Sequence, residues 1–163
     1  MKNILKLFLL FIGLASIQCS NDDNVNAGTI LVNGSEFKTG ASPTLNILKS
    51  DSQNGFWIEI RENLPSGQRA LQIMAAHETG THSGTYVLRS NAIGPGLATI
   101  ALMDIENDQQ LAGGAIEQPT GTITVTDRGN KTFEIEFNDV TLDPGTASET
   151  TISGSHRAKF RSQ

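Results

Sequence analysis

Two short stretches of the 163-residue chain gather side chains able to do chemistry. The first is His77-Glu78-Thr79-Gly80-Thr81-His82. Zinc proteases of the H-E-x-x-H kind set two histidines four apart on a helix, so that both imidazoles face one metal and the glutamate acts as general base. Here the histidines are five apart, and Gly80 sits in a Thr-rich segment that reads as a loop between strands. The spacing therefore predicts neither a helix nor a facing pair. Two readings stay open, a loop zinc site made of His77, His82 and a carboxylate, and a solvated hairpin loop.

The second stretch is Asp104, Glu106 and Asp108. On an extended chain these alternating carboxylates project from one side, as hard oxygen ligands for calcium should. An EF-hand loop needs glycine at its sixth place and glutamate at its twelfth, where this chain has Gln109 and Ala115. That motif is excluded, which leaves a noncanonical calcium site or an acidic, solvated loop. The remaining candidates are aromatic. Trp57, the only tryptophan, falls opposite Phe56, Ile58 and Ile60 by parity, so it either packs the second face of an inner strand or stands exposed as a stacking platform for a sugar ring. Tyr86 can take either role. His156 falls on the apolar parity of the last strand and reads as a buried histidine satisfied by a neighbour. The chain contains no G-x-S-x-G, no phosphate loop and no nucleophilic cysteine with a partner, so no catalytic set is expected.

The elements that must position these residues are short runs of period two between turn residues. Gly28 to Val32 leads into Asn33-Gly34, a type I′ hairpin signal, because that turn needs positive φ at both central residues. Further strands are read at Ser35–Thr39, Thr44–Lys49, Phe56–Glu62, Arg69–Ala76, Gly84–Arg89, Leu97–Met103, Thr120–Asp127, Lys131–Leu142 and Thr150–Phe160. Leu97–Met103 is apolar on both faces and is placed centrally. Glu59, Arg61, Glu134 and Glu136 occupy outward positions where an outer-membrane barrel would need an apolar band. The expectation is an all-β fold, a single antiparallel β-sandwich of about nine strands.

The amino terminus tells where the chain goes. Lys2 and Lys6 precede an apolar run from Leu7 to Ile17, about half of what a ~30 Å hydrocarbon core requires, so residues 1–18 read as a signal peptide. Those two lysines are the leader's only charges. Its removal leaves 10 basic and 17 acidic residues and shifts the net charge from −5 to −7, with the basic residues scattered singly. That balance argues against nucleic acid as a partner. Cys19, the only cysteine, follows immediately and cannot form an internal disulfide.

Cys19 resembles the lipidated cysteine of a bacterial lipobox, with Ser16 and Gln18 standing where leucine and a small residue are usual. An ordinary secretory cleavage near Gly13-Leu14-Ala15 is the alternative. The polar stretch Ser20-Asn21-Asp22-Asp23-Asn24 resembles the tether of Bacteroidota lipoproteins, in which acidic residues after the cysteine accompany export to the cell surface. Beyond it, Val32-Asn33-Gly34 with Phe37, Gly84-Thr85-Tyr86-Val87-Leu88, Gly121-Thr122-Ile123-Thr124-Val125-Thr126, and Ile152-Ser153-Gly154 ending in Phe160 are similar to a family of small lipoproteins of Flavobacteriia-type Bacteroidota, whose all-β domain has no assigned function. The likeness spans nearly all of residues 28–160 and brings no catalytic residues with it.

The expected organisation is a signal peptide at 1–18, an acylated cysteine and polar tether at 19–27, and a β-domain at 28–163. The expected function is a non-enzymatic lipoprotein of the outer membrane or cell surface, anchored through Cys19 and binding a glycan or an envelope protein, without a cofactor unless calcium is held. The alternative is a calcium- or zinc-dependent hydrolase using His77, Glu78 and His82 or the Asp104–Asp108 loop.

Overall fold

The computed structural model describes residues 28–39, 46–51, 55–77, 81–91, 94–113 and 117–162. The leader, Cys19, the tether and Glu78 lie outside them. The described chain is all β: β1 (Ile30–Val32), β2 (Ser35–Phe37), β3 (Asn46–Asp51), β4 (Gly55–Leu64), β5 (Gly67–Ala76), β6 (Gly84–Leu88), β7 (Leu97–Asp104), β8 (Gln109–Ala112), β9 (Thr120–Asp127), β10 (Thr132–Leu142), β11 (Thr150–Lys159) and β12 (Arg161–Ser162). The β1–β2 turn has the conformation its sequence demands, with φ of 51° at Asn33 and 74° at Gly34.

The strands form one sheet, in the order β12-β3-β4-β5-β7-β6-β9-β10-β11-β1-β2, with β8 attached to β7 off that path. This corrects the expectation of a nine-strand antiparallel sandwich. The sheet is mixed, because β6 pairs with β7 in parallel and β12 pairs with β3 in parallel. It also curls into a half-barrel. β12 continues β11 beyond Phe160, and its pairing with β3 (Arg161↔Ile47, Ser162↔Leu48) draws the two ends of the sheet together. A bridge from Thr39 to Glu62 ties the chain just after β2 to β4.

Curling places the apolar parity of each strand on one concave side. Three rows run across β4, β5 and β7: Phe56-Ala75-Ala98, Ile58-Ile73-Ile100 and Ile60-Leu71-Leu102. They join Ile123, Val125, Phe133, Ile135, Phe137 and Ile152 in one buried core. The curvature needs residues that let backbones approach. Gly154, at φ 92°, crosses so close to the Thr29 carbonyl that a side chain there would collide with it. Gly121, at the same φ, faces the carbonyls of Asn138 and Asp139, where the β9–β10 register slips.

Two strands were not legible beforehand, β8 and the short β12. β8 pairs antiparallel with the end of β7 (Met103↔Gln110, Asp104↔Gln109), so the carboxylate stretch is a tight hairpin turn and not an extended loop.

Candidate functional site

β7 carries two partners along one edge. β6 holds its first residues, Leu97 and Ala98, and β8 holds Leu102 to Asp104. Between them Thr99, Ile100 and Ala101 have no strand partner on that side among the described residues, and the sheet forks. An open groove of about 490 Å³ occupies the fork.

Its floor is the convex face of β4, β5 and β7, where register places Trp57, Met74 and Thr99 in one row and Gln72 and Ala101 in the next. Ser90, Asn91 and Gln110 form the rim, with Met103 at the far end. Met74 is 53% exposed and Trp57 half-buried, so a thioether open to solvent lies beside an indole that is partly covered. Gln72 is held by donating from Nε2 to the carboxylate of Glu59 at 2.8 Å. Glu59 is 2% exposed and also accepts from the Arg61 guanidinium, so its charge is compensated outside the groove. None of the lining side chains is charged. An aromatic platform surrounded by amides and hydroxyls suits a neutral ligand with hydroxyl groups.

Of the residues singled out from the sequence, Trp57 alone lines the groove. Tyr86 is 1% exposed inside the curl, where its O–H donates to the His82 carbonyl at 3.0 Å; as an exposed platform it is corrected to a core residue. Parity places single residues on a face. It did not reveal Gln72, Met74, Thr99 or Gln110 as a group, because they converge only through pairings across three strands.

His77 and His82 are brought together, against the expectation that no facing pair exists. Their ring centroids lie 5.2 Å apart at the end of the concave side. His82 is not freely solvated, since its ring packs between Phe56 at 5.0 Å and Phe133 at 5.4 Å. Burial, with His77 beside it, lowers the His82 pKa below the ordinary imidazole value, and Asp127 partly opposes this. Nδ1 of His77 lies 2.6 Å from the Thr81 carbonyl oxygen. Among the described residues no group of three or more His, Cys, Asp or Glu side chains is placed to hold a metal.

The carboxylates at 104, 106 and 108 do not project together. Asp104 is turned onto its own hairpin, accepting from the backbone N–H of Glu106 at 3.1 Å and of Asn107 at 3.2 Å, and from Asn107 Nδ2 at 2.8 Å. Those bonds, Asn107's first, lower its pKa. Glu106 folds over Gly67, and Asp108 takes a left-handed φ of 48° to close the turn. The same residues that read as calcium ligands on an extended strand serve as a turn cap once β8 folds back. His156 is buried as read, with Nε2 against Asn46 Oδ1.

Comparison with protein-family models, curated proteins and solved structures finds no match to this chain.

Proposed function

We propose that the protein is an exported, lipid-anchored binding protein of the cell envelope, whose forked sheet takes a neutral glycan against Trp57. The observation that carries this reading is the uncharged groove, with one indole, two methionines and a rim of amides and hydroxyls. A sugar ring offers an apolar C–H face to an indole and hydroxyls to amides, which is the chemistry present there. The leader, Cys19 and the polar tether support the location, in line with the resemblance to small Bacteroidota lipoproteins. A metal-dependent hydrolase would need a third ligand beside His77 and His82, and no observation on the described residues supplies it.

Trp57 is the only tryptophan in the chain, so intrinsic fluorescence reports on this groove directly. Titration with a panel of neutral oligosaccharides should shift or quench the emission saturably. The same ligands should fail to bind Trp57→Ala by calorimetry. A panel that leaves the emission unchanged, with no heat of binding, overturns the glycan reading.

A further inference from the structure

We propose that His77 and His82 form a site for a borderline divalent transition-metal ion such as Zn²⁺, ligated through both Nε2 atoms and completed by water. The site lies on the concave side of the sheet, whereas the groove lies on the convex side, so it stands or falls independently of the glycan reading.

Three observations converge on it. The first is separation. An ion about 2.0–2.1 Å from an imidazole nitrogen sits about 3.2 Å from the ring centre, and a tetrahedral angle then puts two such rings about 5 Å apart. The observed centroids are 5.2 Å apart. A linear two-coordinate ion would need more than about 6 Å by the same reckoning, so the geometry favours a tetrahedral ion.

The second is orientation. The Thr81 carbonyl can only accept, so His77 Nδ1, 2.6 Å away, carries the proton. That leaves Nε2 with the lone pair. A ligating histidine is commonly held in this way, its other nitrogen donating to a backbone carbonyl.

The third is an orphaned atom. Nε2 of His82 is buried without a hydrogen-bond partner, in a structure where such groups are ordinarily satisfied. An ion between the two rings satisfies it. Phe56 packs on both imidazoles, at 5.1 and 5.0 Å, and fixes them against the core. Imidazole ligands suit zinc, copper and nickel and not calcium, so the ion expected here differs from the one the carboxylate stretch would have taken.

Zn²⁺ added to chelator-treated protein should bind with one-to-one stoichiometry by calorimetry and raise the melting temperature, since a ligand of the native state stabilises it. The chain has three histidines, and His156 is an internal control. The ring resonances of His77 and His82 should move on titration while those of His156 stay in place. Because His82 packs inside the aromatic cluster, the decisive variant is His77→Gln, at the half-buried rim. It should keep the native circular dichroism spectrum and weaken binding at least 10-fold. Absence of one-to-one uptake, or equal uptake by His77→Gln, overturns the site.

Discussion

His156 Nε2 lies 2.9 Å from Asn46 Oδ1, joining β11 to β3 across the seam where the curled sheet meets itself. Both residues are 1% exposed, and they stand 110 positions apart in the chain. The carbonyl oxygen of the Asn46 amide accepts, so His156 donates as a neutral imidazole protonated at Nε2. Just beyond it along the chain β12 pairs with β3, so the side-chain bond and the backbone ladder close the same gap.

Burial pushes His156 down to about 4. The unfolded chain therefore binds a proton that the folded chain refuses between about pH 6.5 and pH 4, and stability falls as pH drops through that window. The full effect of a shift of this size is about 3 kcal/mol. Urea melts at pH 7 and pH 4.5 should show the loss. In His156→Gln, which keeps a donor for Asn46, the slope across this window should flatten; an unchanged slope would place the acid sensitivity elsewhere.

Glu62 is 2% exposed and accepts from Arg69 Nε at 3.0 Å and Nη2 at 2.5 Å, and from the Lys38 N–H at 2.8 Å. Removing the guanidinium leaves a buried carboxylate uncompensated. Arg69→Met should cost about 2–3 kcal/mol, below the full penalty of a buried pair because the Arg69 side chain keeps partial solvent access. Adding Glu62→Gln should restore at least half of the loss, since the amide still accepts from Lys38. Chemical denaturation of the single and double variants measures this, and a double variant no more stable than the single one contradicts it.

Gly34 and Gly154 both have positive φ, 74° and 92°, but differ in surroundings. Nothing lies within 4 Å of a side chain placed at Gly34, while one at Gly154 meets the Thr29 carbonyl. Gly34→Ala should cost only the conformational penalty of about 1–2 kcal/mol. Gly154→Ala should cost clearly more, because β1 must also move away from β11. Equal melting temperatures for the two variants would mean that the backbones there are not held close.

Met74 makes the groove's floor without filling the core. Met74→Glu should change stability by less than about 0.5 kcal/mol, as an exposed substitution does. It should weaken any ligand found by Trp57 fluorescence at least 10-fold. Retained affinity would put the ligand elsewhere on the sheet.

Cys19→Ser should move the protein from the membrane to the soluble fraction, because several acyl chains on one cysteine anchor stably. Unchanged sedimentation with membranes would remove lipidation from the account.

The sequence by itself determined most of the strands, β8 and β12 excepted, and the face their alternating residues take, because alternation has a period of two in any sheet. Phe56, Ile58 and Ile60 are buried where parity placed them, and Asn33-Gly34 turns as its chemistry requires. It also shows an apolar run near the amino terminus with the single cysteine after it. The neighbour of each strand was decided only by tertiary structure. A period-two pattern is the same in a sandwich and in a curled sheet, and ladder hydrogen bonds are chemically alike whichever strand supplies them. The choice rests on the close approaches at Gly121 and Gly154 and on the seam of His156, Asn46 and β12, none of which is a local signal. The forked β7, its groove and the paired imidazoles follow from that choice, since each unites residues from strands or loops that only packing makes adjacent.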